Sequence, residues 1–118
     1  MSSPVLPGSV VWVNLDSTVG REQAGRRPAV VVASSGYLDA VTELAIVVPA
    51  TTTDRSWPQH VRLAGPNVTL ARPTFAMTEQ PRTISRQRIA SVAGTVDNAC
   101  LAEIRQWLSD FLHDNSSQ

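Results

Sequence analysis

The chain has 118 residues, of which 42% are hydrophobic, and its ten arginines balance ten acidic residues to a formal net charge of zero. This length predicts a single domain over residues 1–118 with one core, and one cysteine with two histidines excludes a disulfide and a zinc site within the chain. No apolar run approaches the roughly 18 residues of a membrane span, and no basic start precedes an apolar stretch, so we expect a cytoplasmic protein without membrane contact.

Most of the chain alternates between β-branched runs and turn signals. Prolines and glycines separate the runs, which is typical of short strands joined by turns. Strands are predicted at residues 10–15, 29–33, 43–49, 60–63, 74–78 and 91–96. Six short strands in this length predict a small, strongly curved antiparallel sheet or partly closed barrel.

The last segment follows a helical period instead. From Asp97 onward, apolar side chains recur at the spacing of an amphipathic helix. Asp97 is the predicted N-cap, because its carboxylate suits the positive end of the helix dipole. Cys100 falls near the apolar face and is predicted to be a buried small residue. The fold class is therefore mainly β with a C-terminal α-helix.

The zero net charge is a cancellation between two parts of the chain. Residues 1–92 hold nine arginines against six acidic residues, a net charge of +3, whereas residues 93–118 hold one arginine against four, a net charge of −3. A neutral chain argues against a nucleic-acid partner. The basic body does not, because arginine fits the geometry of a phosphate.

The connection between the first two predicted strands is unusually long. It spans twelve residues, 16–27, whereas a hairpin turn needs about two to five. Connections of this length are usually functional or disordered. This one carries three arginines and Glu22, so it can place cations and a carboxylate over the mouth of a curved sheet. A solvated loop whose charges do nothing is the competing interpretation.

Several stretches, taken together, resemble the MazF/PemK (Kid) family of toxins. They are GSVVWVNLD at residues 8–16, TVGREQAGRRPAVVV at 18–32, VVPATT at 47–52, EQPRTI at 79–84 and GTV at 94–96. The resemblance extends over about residues 8–112. Its specific part is Glu-Gln-Ala-Gly-x-Arg-Pro at residues 22–28, since the apolar strands alone would be a weak signal.

The resemblance implies both an architecture and an activity. The architecture is an SH3-like, CcdB-type curved antiparallel barrel that forms a homodimer. The activity is ribosome-independent, sequence-specific cleavage of single-stranded RNA, chiefly mRNA, by attack of the 2′-hydroxyl, which inhibits translation and growth. No cofactor and no metal is implied. Members of the family are toxins of type II toxin–antitoxin systems, and a cognate MazE-like antitoxin inhibits them by inserting a largely disordered segment into the RNA-binding surface.

The catalytic glutamate and arginine of the family fall on Glu22 and Arg27. Attack by the 2′-hydroxyl needs a base at the 2′-oxygen, an acid at the leaving oxygen and cations around the phosphate. The resemblance implies that Glu22 is the base, or positions the 2′-hydroxyl, and that Arg27 stabilises charge on the phosphate. Arg27 could also help to protonate the leaving oxygen, but an arginine pKa above about 12 favours the electrostatic role.

The resemblance also implies RNA contacts beyond this pair. The family's phosphate-contacting threonine, counted as catalytic, falls on Thr51, with Thr52 and Thr53 as alternatives. Other RNA-binding residues are expected at Arg21, Gln23, Arg26, Thr52, Gln80 and Arg82. Two positions depart from the Kid branch, since Met77 and Arg21 stand where that branch has a functional arginine and a histidine. The Kid acid–base scheme therefore does not transfer.

Other interpretations compete with the ribonuclease hypothesis. A pair of catalytic histidines is disfavoured because nothing in the sequence brings His60 and His113 together. Trp57 could stack on a base, cover one end of the barrel or lie at the dimer contact. A CcdB-like toxin that poisons DNA gyrase without catalysis is disfavoured because the chain lacks that family's C-terminal Trp-Gly-Ile. A non-cleaving SH3-like module that binds RNA or protein stays open.

Overall fold

The computed structural model describes residues 4–14 and 25–113. Within these residues the chain forms eight strands and two α-helices, with a short 3-10 turn before the last strand. In chain order they are β1 (Ser9–Val13), β2 (Arg27–Val31), α1 (Ser35–Ala40), β3 (Leu44–Thr51), β4 (His60–Arg62), β5 (Asn67–Val68), β6 (Phe75–Met77), β7 (Arg82–Ser85), the turn Arg86–Arg88, β8 (Ile89–Thr95) and α2 (Asn98–Leu112).

The sheet is antiparallel and is built around β3. The strand order is β4-β6-β3-β2-β1-β8-β5, with β7 as an additional partner of β3. One edge of β3 pairs with β7 as far as Val47 and with β6 from Ala50 onward. Pro49, which has no N–H to donate, lies in the gap between these two pairings. The sheet therefore divides along β3 and curls, which confirms the curved antiparallel sheet with a C-terminal helix.

The central strands are buried on both faces. Alternate side chains point to opposite faces of a strand, so the valine runs supply two cores. Val10, Val30 and Val48 belong to the core that contains Leu101 and Ile104 of α2. The intervening residues of the same strands belong to a second core, which contains Leu38 of α1 and Ile84 of β7. Two-sided burial explains why these strands are almost continuously apolar in sequence.

A glycine is required where β5 meets β8. Gly94 has φ +112°, a region that residues with a Cβ rarely adopt, and a Cβ there would overlap the carbonyl oxygen of Asn67. The ladder pairs Val68 with Gly94 and Asn67 with Thr95. The close approach of these backbones therefore depends on the missing side chain.

Helix α2 begins as the sequence predicts. The Asp97 carboxylate accepts a hydrogen bond of 2.8 Å from the backbone N–H of Cys100, which confirms Asp97 as the N-cap. Cys100 is buried, and its thiol lies 3.4 Å from the carbonyl oxygen of Arg62. Burial raises the pKa of this thiol, and the charges of Asp97 and Glu103 add to the increase. Cys100 is therefore a packing residue.

Three elements differ from the sequence prediction. Helix α1 was missed because it has only six residues and contains Gly36, which is typical of a turn. Its N-cap is Ser34, whose hydroxyl accepts the N–H of Tyr37 at 3.0 Å. Strand β5 is only two residues long, and β7 has the largely polar sequence RTIS. Neither strand has the alternation on which prediction depends.

Neither of the described helices is long and apolar enough to cross a membrane.

The two histidines have separate places in the fold. His60 begins β4, and its Nε2 lies 3.1 Å from Oε2 of Glu79 in the turn after β6. Its side chain is only 2% exposed and packs against Trp57, with ring centroids 4.9 Å apart. His113 caps the C-terminal end of α2. His60 therefore ties the start of β4 to the turn after β6.

Asp97→Ala is expected to lower the free energy of unfolding by about 1 kcal/mol, because the N–H of Cys100 loses its acceptor at the start of α2. Urea unfolding followed by circular dichroism measures the change. Asp110→Ala is the matched control, since Asp110 accepts from Gln106 near the other end of the same helix, where a negative charge is unfavourable. Equal losses in the two variants would contradict the capping role.

Glu79 is expected to make stability depend on pH in the acid range. Partial burial opposes ionisation of this carboxyl, but a backbone N–H and the side chains of His60 and Gln80 favour the charged form, so its pKa is lowered. The stabilisation is complete above the unfolded-state pKa of about 4.3 and disappears as the pH falls through the lower folded-state pKa. Glu79→Gln should flatten the loss of unfolding free energy below about pH 4.3; an unchanged slope would contradict this.

Candidate active site

Arg27 is held at the first position of β2. It pairs with Val13 of β1, and the following pair is Pro28 with Trp12. Proline disfavours a helical conformation in the residue before it, which fits the extended backbone of Arg27. The prediction placed Arg27 at the end of the long connection with an extended backbone at the start of the second strand, and the structure makes it the first residue of that strand. The ladder therefore fixes the backbone of Arg27 while its side chain stays exposed.

Thr51 ends the neighbouring strand β3 at a matching level. The last pair between β2 and β3 joins Ala29 to Pro49, and two steps further along both strands lie Arg27 and Thr51. The Thr51 hydroxyl oxygen accepts the backbone N–H of Thr53 at 3.1 Å. This bond uses an oxygen lone pair and leaves the hydroxyl hydrogen available to donate. Among the described residues no such bond holds the hydroxyl of Thr52.

Arg27 and Thr51 line one open recess of about 310 Å³. We call it the arginine groove, defined by Trp12, Arg26, Arg27, Thr51, Thr52 and Arg72. The described lining also includes Thr74, and it contains three guanidinium groups and no carboxylate. Cations and hydroxyl donors without a neighbouring acid favour a bound anion, and the planar guanidinium fits a phosphate in particular.

The groove arginines differ from those elsewhere in the fold. Three other arginines donate to backbone carbonyl oxygens and so hold loops and helix ends in place. They are Arg86 with Leu38, Val41 and Leu44, Arg88 with Asn14, and Arg105 with Val32 and Ala33. In the described part of the chain, the guanidinium groups of Arg26, Arg27 and Arg72 form no hydrogen bond or ion pair. Their donors are therefore available to a ligand.

The structure brings four of the predicted residues together and leaves others elsewhere. Arg26, Arg27, Thr51 and Thr52 all line the arginine groove. The other expected residues are not among its described lining, or are not described. Gln80 lies in the turn after β6, where its N–H donates to Met77, Arg82 begins β7 opposite Val47, and Arg21, Glu22 and Gln23 lie outside the described residues.

Sequence reasoning missed Arg72 and the second role of Trp12. Arg72 stands in the segment between β5 and β6, and Trp12 was predicted only as a sheet residue. A signal was present, because Arg72-Pro73 repeats the Arg-Pro pair of residues 27–28.

Trp57 does not line the groove. Its side chain is 47% exposed, and the guanidinium carbon of Arg55 lies 5.4 Å from its ring centroid.

A larger recess of about 590 Å³ has a different character. It lies between α1, β3 and the end of α2, and it exposes the apolar side chains of Phe111 and Leu112. Glu79 is the one charged residue in its described lining. Without a cation, this surface is unsuited to a phosphate. No group of three or more potential metal ligands occurs among the described residues.

Comparison with known proteins identifies the family. The family model described as PemK-like, MazF-like toxin of type II toxin-antitoxin system matches residues 6–112. Endoribonuclease toxin MazF of Escherichia coli (strain K12) is 39% identical over 90 residues, 75% of this chain and 77% of that protein. MazF (Form-I) from Deinococcus radiodurans superposes with a TM-score of 0.74 at 30% identity, covering 93% of this chain and 98% of the other. The MazE-MazF (Form-III) structure from the same organism gives 0.73 at 25% identity, with 91% and 94% covered. The chain therefore belongs to the PemK-like, MazF-like toxin family of type II toxin–antitoxin systems.

Proposed function

We propose that this protein is an endoribonuclease toxin that cleaves single-stranded RNA in the arginine groove without a metal ion. The observation that carries the proposal is the meeting of Arg26, Arg27, Arg72 and Thr51 in one recess with no described carboxylate among them. The relative from Escherichia coli is itself named an endoribonuclease. The groove supplies what a phosphodiester requires, namely unpaired cations and a neutral hydroxyl donor.

The proposed reaction is an in-line displacement at phosphorus. The ribose 2′-oxygen forms a bond to phosphorus, the bond from phosphorus to the 5′-oxygen breaks, and the 2′ proton passes to a base while the leaving oxygen gains a proton. The products are a 2′,3′-cyclic phosphate and a 5′-hydroxyl. Arg27 and its neighbours stabilise the additional negative charge on phosphate, and such preorganised donors are often the largest single contribution to catalysis.

Thr51 is the preferred threonine for the phosphate contact. Because its oxygen already accepts the N–H of Thr53, the orientation of its hydroxyl is restricted and its hydrogen can point to a ligand oxygen. It also lies level with Arg27 in the extended register of the sheet. Thr52 lines the same groove but lacks this bond among the described residues, so it is assigned to RNA binding.

Glu22 is the proposed base. It lies outside the described residues, and its assignment rests on the family stretch Glu-Gln-Ala-Gly-x-Arg-Pro at residues 22–28. The stretch runs directly into Arg26 and Arg27 of the groove. Arg21 and Gln23 are proposed to contact RNA from the same stretch.

We further propose that the protein acts as a homodimer in the cytoplasm and is inhibited by a MazE-like antitoxin. The similarity to the MazE-MazF structure from Deinococcus radiodurans supports the antitoxin. The exposed apolar side chains at the end of α2 are consistent with a protein partner. Gln80 and Arg82 stay proposed RNA contacts outside the described lining of the groove. Neither gyrase poisoning nor a non-cleaving binding module is favoured, because the matched relative is named an endoribonuclease.

The purified protein is expected to cut a long, sequence-diverse single-stranded RNA in the presence of EDTA. Attack of the 2′-oxygen on phosphorus leaves fragments with 5′-hydroxyl and 2′,3′-cyclic phosphate ends. The first can be detected by labelling with polynucleotide kinase, and the second by resistance to ligation until the cyclic phosphate is opened and the remaining phosphate is removed. Complete absence of cutting, or fragments with 5′-phosphate ends, would contradict the proposed reaction.

Removing the proposed catalytic groups is expected to slow cleavage strongly. Arg27→Ala should lower kcat by about 10²- to 10³-fold, the usual effect of losing a preorganised donor. Glu22→Ala should lower it by about 10²- to 10⁴-fold through loss of the base. Thr51→Val should lower it by about 10- to 100-fold, since one hydrogen bond to a charged group is lost.

Arg55→Ala is the matched control for these variants, because it removes an exposed arginine that does not line the groove. It should retain kcat within about threefold, a change below 1 kcal/mol. Thermal unfolding checks that each variant keeps the wild-type fold. A kcat close to wild type in Arg27→Ala, with RNA binding retained, would remove Arg27 from the mechanism.

A further inference from the structure

The arginine groove continues into a second recess of about 440 Å³. The two recesses share Leu70, Ala71 and Arg72, so Arg72 stands between them. On its far side the second recess is lined by Arg62, Gly65 and neighbouring residues. We call this second recess the flanking groove. Nothing in the proposed reaction uses it, although a long polymer bound in the first recess has to continue beyond it.

The walls of the flanking groove are fixed by the fold. Arg62 ends β4 opposite Phe75 of β6, and its carbonyl oxygen contacts the Cys100 thiol of α2. Gly65 has φ +139°, and a Cβ there would lie 2.7 Å from the backbone nitrogen of Asp97. The chain can therefore turn against the start of α2 only because this residue is glycine. The recess is part of the folded framework.

The charge of the flanking groove matches that of the arginine groove. Arg62 and Arg72 are exposed, and neither guanidinium forms a hydrogen bond or ion pair within the described residues. No carboxylate lines either recess in that part of the chain. The remaining side chains of the flanking groove are aliphatic, including Val68 and Leu70. It has no described aromatic platform on which bases could stack, so a bound polymer would be held by its phosphates.

We propose that the flanking groove binds the sugar–phosphate backbone of single-stranded RNA next to the segment that is cut. Arg72 contacts the strand where it passes between the recesses, and Arg62 binds a phosphate further along. This inference rests on the proposed function, because it extends the same RNA path. The contact is independent of base sequence, so it adds affinity for long RNA and does not help to choose the cleavage motif. An acidic protein segment is the competing occupant, and length-dependent RNA binding separates the two.

The experiment compares RNAs of different length around one mapped cleavage site. Each carries a 2′-deoxynucleotide at the attacking position, so that fluorescence anisotropy measures binding without cleavage. The short RNA ends near the site, and two longer RNAs add oligouridine on the 5′ or the 3′ side. Wild-type protein is expected to bind one extended RNA about tenfold more tightly than the short one, with a salt dependence steeper by about 0.7 per additional phosphate contact.

Arg62→Ala is expected to abolish this gain, so that the short RNA and the extended RNA bind with similar Kd and similar salt dependence. Arg62→Lys, which keeps the charge, should recover most of the gain. Arg55→Ala, which removes an equal charge outside both recesses, should keep the ratio between the two RNAs. Thermal unfolding shows whether Arg62→Ala keeps the wild-type fold.

Two results would overturn the inference. One is wild-type affinity that does not increase with extension on either side, and the other is an Arg62→Ala variant that keeps the wild-type ratio between extended and short RNA. Both are distinct from failure of the proposed function, in which wild-type protein would leave unmodified RNA uncut.

Discussion

The pairing of β2 with β1 on one side and with β3 on the other joins the two cores of the molecule. These three strands contribute valines to both cores, so the helices on the two faces have their positions set by one ladder. The arginine groove lies at the end of that ladder. Arg27 is the first residue of β2 and Thr51 the last of β3, and the fully buried Ala29 and Val48 lie two and three residues further into these strands. A rigid sheet end thus carries the groups proposed for catalysis, as accurate positioning requires.

The arginines of this chain serve two separate purposes. Arg86 and Arg105 each donate several hydrogen bonds to backbone carbonyl oxygens, which a guanidinium does well because it has five N–H groups. Four other arginines have guanidinium groups that form no hydrogen bond or ion pair among the described residues. They are Arg26, Arg27, Arg62 and Arg72. Net charge and arginine count do not separate these two groups. The distribution of hydrogen bonds does, and these four guanidinium groups without partners line the two adjoining recesses.

The sequence predicts some parts of this molecule well for identifiable physical reasons. Helix α2 and its Asp97 cap follow from periodicity and a local hydrogen bond, and the valine runs of the central strands are equally local signals. Helix α1 and strand β7 are too short or too polar to show a period, so only their tertiary contacts reveal them. The strand boundaries in the structure differ from the predicted ones by one or more residues, and β2 therefore includes Arg27.

The sequence likewise predicts some residues of the candidate site and misses others. Arg27 and Thr51 were identified through family resemblance, because they lie 24 positions apart in sequence and no local pattern connects them. Arg72 was missed because it belongs to an irregular segment whose place beside Arg27 is decided by the curl of the sheet. Chemistry that depends on distant residues is thus visible in sequence only where a related family has already joined them.

Burial of the central strands on both faces also affects how the chain selects its register. In a sheet with one wet face, a slip of one residue would move every apolar side chain into water, and the hydrophobic pattern alone forbids it. Here both faces are apolar, so the pattern penalises such a slip much less. The register then depends on residues that have no backbone N–H to donate to the ladder. These are Pro28 opposite Trp12 and Pro49 in the gap along β3. A misaligned β2 would move Arg27 away from the level of Thr51, so a register selected by these two prolines also brings both residues to the same recess.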